Sequence, residues 1–163
     1  MKSIVVYASR FGNTRKLAEA LADELQASGN VRLVAADEAS PILLKETDLL
    51  VIGCPTEGHR MMEPVSRFFE RIGPTALHGM AAVAFDTRLG WPPWLLGSAA
   101  AGITKRLRAA SARQVLPSES FLVAGGRTRE ETTLEAGELE RARAWARSLP
   151  AVVEAERTAA AVN

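Results

Sequence analysis

The sequence predicts an α/β fold, a doubly wound five-stranded parallel sheet with helices on both faces. Three observations carry this. Five β-type runs alternate with five helical regions, and such alternation favours a parallel sheet. One run, Asp48–Gly53 (DLLVIG), is apolar on both faces, as a strand covered by helices on either side must be. Right-handed crossovers then restrict the topology to the doubly wound kind.

The elements follow in order. Lys2–Tyr7 is a short β-branched run, predicted as a buried strand. After a turn, Leu17, Ala18, Leu21, Ala22 and Leu25 recur at helical spacing, and Gly29 ends that helix. Val31–Ala35 is the second strand, a weak helical stretch lies around Ile42–Lys45, and Asp48–Gly53 is the third strand. Pro64 opens a helix whose apolar stripe is Val65, Phe68, Phe69 and Ile72, closed by Gly73-Pro74. Ala81–Phe85 is the fourth strand, followed by a long turn, Asp86–Gly97. Ser98 is a suitable N-cap for a helix through Ala112 with Ile103, Leu107 and Ala110 inward. Gln114–Ala124 holds a fifth strand interrupted near Pro117, and a last helix runs from about Leu134 to Leu149. Ala151–Asn163 is alanine-rich and uncapped and is predicted to fray, so residues 1–150 form the single domain and 151–163 a C-terminal tail.

Composition narrows the function. With 163 residues, 47% apolar and 24% charged, the chain suits one globular domain. No apolar run reaches the ~18–20 residues of a membrane helix. The start lacks the features of a signal peptide, so the expected location is the cytoplasm. A net charge of +1 gives no general attraction to nucleic acid. The single cysteine, Cys54, excludes an internal disulfide and a cysteine-based zinc site, and at a strand end it reads as core. No G-x-S-x-G elbow exists around Ser98, which argues against a hydrolase.

In sheets of this kind ligands bind beyond the carboxyl ends of the strands, where strand order reverses. Three turns end there: Ser9–Thr14, Pro55–Arg60 and Asp86–Gly97. Ser9-Arg10-Phe11-Gly12-Asn13-Thr14 joins a strand to a helix, so its backbone N–H groups favour an anion. Ser9, Asn13 and Thr14 add side-chain donors, Arg10 and Arg15 add charge, and Gly12 permits close approach. The same residues also read as an ordinary capped turn. Neither a G-x-x-x-x-G-K-[ST] loop nor a G-x-G-x-x-G fingerprint is present.

This first turn resembles the FMN-phosphate loop of the flavodoxin family, Ser/Thr-x-Thr/Tyr-G-x-Thr, at every position but Phe11, which stands where a hydroxyl residue is usual. Asp48–Gly58 resembles the third strand and flavin loop of the same family and of its quinone-reductase branch. Ala82–Leu89 resembles the fourth strand and third flavin loop. The resemblance spans residues 2–149 and implies strand order 2-1-3-4-5 and non-covalent FMN. The cofactor-binding residues it implies are Ser9, Arg10, Phe11, Gly12, Asn13 and Thr14 in the first loop and Pro55, Thr56, Glu57 and Gly58 in the second. The third loop adds Asp86, Thr87, Arg88, Leu89, Trp91 and Trp94.

Two departures bear on the partner. The third loop lacks the Gly-Cys-Gly-Asp stretch of short electron-carrier flavodoxins, and the chain is not acidic. The expected function is electron transfer, or flavin-dependent reduction of a small acceptor such as a quinone, with the carrier role preferred. The partner is then a redox protein or a small acceptor, and a homodimer stays open. No catalytic acid, base or nucleophile is required, because the flavin itself reacts. The alternative is a protein-interaction module that has lost FMN. His59 in the second loop reads either as a flavin neighbour or, preferably, as a solvated loop residue, and His78 reads as surface.

Overall fold

The structure is a computed structural model that describes residues 1–58, 60–91, 97–125 and 128–162. Its strands are β1 (Lys2–Tyr7), β2 (Asn30–Ala35), β3 (Leu49–Pro55), β4 (Ala81–Leu89), β5 (Arg113–Gln114), β6 (Glu119–Ala124) and β7 (Thr133–Leu134). The helices are α1 (Asn13–Gln26), α2 (Pro41–Leu44), α3 (Glu63–Ile72), α4 (Ala99–Ala109) and α5 (Glu138–Val162), with a 3-10 turn at Arg129–Glu131. Strand order is β2-β1-β3-β4-β6-β7, with β5 also paired to β4. All pairings are parallel except β6 with β7. The predicted fold class and the order 2-1-3-4 are therefore present, with the fifth strand split and a seventh added.

Alternation along the central strands builds two cores. Val6 and Ile52 point to one face, where Phe68, Phe69, Leu77, Ile103 and Leu107 from the α3 and α4 side cover them. Val5, Val51, Val83 and Phe85 point to the other, against Leu17, Leu21 and Leu25 of α1 and Ala142, Ala146 and Leu149 of α5. Such two-sided burial is why these strands read as continuous apolar runs.

Four sequence expectations bear on the bounds of these elements, and three of them need correction. First, β4 does not end at Phe85. Residues 86–89 continue the strand because they pair with β3 on one side (Asp86 with Cys54, Thr87 with Pro55) and β6 on the other (Leu89 with Val123). Ladder bonds on both edges outweigh the poor strand preference of aspartate. Second, the fifth strand is interrupted around Pro117 as expected, with β5 ending at Gln114 and β6 beginning at Glu119, and Pro117 lacks the N–H that a ladder needs. Third, the last helix begins at Glu138 and not near Leu134, since Thr133–Leu134 is taken up by β7. Fourth, the tail expected to fray at 151–163 is helical over its described residues: the helix passes through Pro150 and continues to Val162. Val153 is buried against the core, Glu156 pairs with Arg113, and Arg157 pairs with Asp48 at 2.6 Å. These contacts offset the backbone bond that Pro150 forfeits. Among the described residues no helix is long and apolar enough to cross a membrane.

Candidate functional site

Parallel register brings the carboxyl ends of β1, β3 and β4 level, with Tyr7 beside Gly53 and Pro55 beside Thr87. The segments leaving those ends enclose a cavity of about 320 Å³, within the range of small-molecule sites. Its walls are Arg10, Phe11, Asn13 and Thr14 from the first loop and Pro55, Thr56, Glu57 and Gly58 from the second. Thr87, Arg88 and Leu89 come from the end of β4, and Val123 and Thr132 from the β6–β7 segment.

The first loop is built to present donors. Gly12 adopts φ +87°, a left-handed conformation that suits glycine, and precedes the first turn of α1. The Ser9 hydroxyl oxygen accepts the N–H groups of Gly12 (3.2 Å) and Arg15 (3.3 Å), which folds the loop back on the helix. Lys16 N–H bonds the Gly12 carbonyl at 3.0 Å. No acceptor among the described residues takes the N–H of Asn13 or Thr14, the first-turn donors that a helix cannot satisfy internally. Both residues are buried in the cavity wall.

Side chains do not all point as the sequence suggested. The Asn13 amide donates to the Thr132 carbonyl at 2.8 Å, so it ties α1 to the β6–β7 segment. Thr14 and Thr87 share a hydrogen bond of 2.8 Å between their hydroxyls. A hydroxyl has one hydrogen and two lone pairs, so one of the two always keeps an unused hydrogen. Thr87 also accepts the Thr56 N–H on its carbonyl at 2.9 Å, which joins all three loops at one residue. Across the mouth, Arg10 pairs with Glu57 at 3.2 Å. Glu57 and Arg60 exchange backbone bonds of 3.1 and 3.0 Å around Gly58, whose φ is +51°.

Asp86, expected in the site, is absent from the cavity wall. It is fully buried, and its Oδ2 accepts from the Thr56 hydroxyl (2.9 Å), the Ser98 hydroxyl (2.7 Å) and Ala100 N–H (2.9 Å). Ala99 N–H donates to the Thr56 hydroxyl (2.8 Å) and Ala101 N–H to Ser98 (3.2 Å), so three first-turn donors of α4 are all satisfied by side chains. A carboxylate is also favoured there by the helix dipole. Ser9 and Gly12 shape the loop and are not themselves wall residues. Trp91 is 59% exposed, outside the wall, because β4 extends to Leu89 and carries it to the rim. Its carbonyl accepts from Arg88 Nη1 at 2.6 Å. Trp94, Pro92, Pro93 and His59 lie outside the described residues. His78 is exposed. Cys54 is buried, its thiol pushed up to about 12 by burial, and its sulfur accepts the Met62 N–H at 3.4 Å, so it is a packing residue.

Val123 and Thr132 were missed. Their place in the wall depends on the extended β4 and on β7, and a two-residue strand has no periodicity to detect.

A family model described as Flavodoxin matches residues 5–145. The chain belongs to the flavodoxin family. Flavodoxins bind FMN. A flavodoxin of Aquifex aeolicus (strain VF5) is 33% identical over 95 residues, 55% of this chain and 51% of that protein, so the match spans about half of the relative's length. A flavodoxin from the domain Archaea superposes with a TM-score of 0.76 at 21% identity, over 94% of this chain and 99% of that one. The oxidised flavodoxin 1 of Bacillus cereus gives 0.74 at 20% identity, over 90% of this chain and 95% of its own. The donor set fits an FMN phosphate: two unpartnered helix N–H groups, the spare hydroxyl hydrogen of the Thr14–Thr87 pair and a nearby arginine.

Proposed function

We propose that this flavodoxin binds FMN at the carboxyl edge of its sheet and passes electrons through it to a partner. The observation that carries the proposal is the pair of unsatisfied N–H groups of Asn13 and Thr14 beside the Thr14–Thr87 hydroxyls. Backbone donors at a helix start, held by Ser9, match a phosphate dianion. The residues that would hold the ring are Pro55–Gly58 and Thr87–Leu89, and Phe11, Leu89 and Val123 would offer it apolar surface. When bound, FMN supplies the redox chemistry; the chain binds and orients it, and limits its access to water.

Within this reading we favour transfer in the cytoplasm to a redox partner protein over NAD(P)H-driven reduction of a small acceptor such as a quinone. The arrangement calls on no acid, base or nucleophile. Purification with FMN added decides the first point. The protein should be yellow, with flavin absorption released on denaturation. A colourless protein that ignores added FMN means an interaction module instead. Steady-state NAD(P)H oxidation with a quinone, absent for a carrier, decides between the two redox roles.

A further inference from the structure

The arginines of the first loop and of β4 are not alike. Arg10 is paired with Glu57 (3.2 Å), and Arg15 with Glu19 (2.8 Å) on the exposed flank of α1. Arg88 has no such partner: among the described residues no carboxylate comes within ion-pair distance of it. Its Nη1 donates instead to the carbonyls of Trp91 (2.6 Å) and Leu89 (3.4 Å), and its Nε is buried with no partner. Asp86 lies two residues earlier, on the same side of β4. Its Oδ2 is bound to Thr56, Ser98 and Ala100, and its Oδ1 is buried with no hydrogen-bond partner, so it makes no bond to Arg88. Arg88 is thus a half-buried cation, held in the cavity wall by carbonyl oxygens and not neutralised. Carbonyl oxygens engage its N–H groups without cancelling its charge, so an anion in the cavity gains from it.

We propose that Arg88 supplies the countercharge for the flavin ring when it is reduced. This rests on the FMN reading above. FMN would supply the redox chemistry: two electrons from a reduced partner protein and one proton from water would leave its ring a monoanion, and Arg88 is the residue whose charge would face it. A cation fixed in the wall stabilises that anion and leaves the neutral oxidised ring almost untouched, so Arg88 sets the potential and not the oxidised affinity. Arg88 follows Thr87 on β4, and side chains alternate along a strand, so it leaves the opposite face from the Thr87 hydroxyl that meets Thr14.

The test measures dissociation constants of the flavin-free protein for FMN and for riboflavin. Each is taken oxidised in air and reduced with dithionite under argon. In Arg88→Gln the reduced flavin should bind at least tenfold more weakly relative to the oxidised one, with riboflavin as with FMN. Arg88→Lys should keep the parent ratio within about threefold, since the charge survives. Arg88→Met is a second neutral variant in case the glutamine one is poorly folded. Equal loss in both redox states, confined to FMN, would assign Arg88 to the phosphate and overturn the proposal. An unchanged ratio in both neutral variants overturns it too. A parent protein that binds neither flavin overturns the FMN reading as well, which separates the two failures.

Discussion

Asp86→Ala should destabilise the protein far more than it weakens its ligand. The carboxylate accepts three hydrogen bonds at one oxygen, from Thr56, Ser98 and Ala100 N–H. At ~1.5–3 kcal/mol for a bond to a charged group, the gross loss is roughly 5–9 kcal/mol. Several kcal/mol return because a buried carboxylate no longer has to be desolvated. The freed Thr56 and Ser98 hydroxyls can rotate to new acceptors, but Ala100 N–H, buried at the start of α4, cannot. The net cost is then about 2–4 kcal/mol. In a domain of this size 1 kcal/mol moves Tm by ~2–4 °C, which gives a drop of roughly 10 °C. Calorimetry of the flavin-free protein measures it, with Asp86→Asn expected in between because one oxygen acceptor survives. FMN affinity, measured well below the transition, should fall by less than the ~10-fold that losing a direct charge-assisted contact costs. A Tm within about 2 °C of the parent together with a tenfold loss of FMN affinity would make Asp86 a ligand contact and refute this reasoning.

Three further outcomes are expected. Thr14→Val combined with Thr87→Val removes both hydroxyls of the pair at nearly constant volume, so FMN binding measured by titration should weaken about tenfold while riboflavin binding stays unchanged; equal loss for both ligands would place the phosphate elsewhere. At Gly58 a Cβ meets no atom within 4 Å, yet φ is +51°, so Gly58→Ala should cost ~1 kcal/mol of stability through backbone strain and, by stiffening the loop, shift the first one-electron potential. An unmoved potential with FMN still bound counts against a role for that peptide. Burial raises the Glu138 carboxyl, but the Arg141 guanidinium and the Leu122 N–H outweigh it and hold it below the usual carboxylate range. A folded value below the unfolded one stabilises fully above the unfolded value, ~4.3 for glutamate, and the contribution is lost as pH falls through the folded value. Urea unfolding of Glu138→Gln should therefore lose stability at pH 7 and show a flatter decline than the parent below pH ~4.3.

Much of the fold was legible because its signals are local or periodic. The apolar stripe of α3 and the two-sided burial of DLLVIG both follow from burial in a helix-covered sheet. Ser98 was read as an N-cap, and it accepts Ala101 N–H as a cap should. What escaped depends on contacts distant in sequence. The continuation of β4 through Asp86 is set by neighbours at Cys54 and Ser120, and nothing near Asp86 announces it. That continuation alone converts Asp86 from a loop residue into a helix cap and moves Trp91 to the rim. Thr132 entered the wall through a bond to Asn13, 119 residues away. The helix beyond Pro150 is held by Arg113 and Asp48, partners that no window around Ala151 contains. In the first loop, the sequence pattern identified the residues but not their division of labour. Ser9 fixes the loop, Asn13 ties down a neighbouring segment, and only the backbone and the Thr14–Thr87 pair are left to meet an anion.

The most direct measurement is a calorimetric titration of the flavin-free protein with FMN and, in parallel, with riboflavin. Two free backbone N–H groups and one spare hydroxyl hydrogen facing a dianion, at ~1.5 kcal/mol or more for each bond, predict FMN binding tighter than riboflavin by at least a hundredfold. Equal affinity for the two ligands, or no heat with either, would contradict a phosphate site at Asn13 and Thr14.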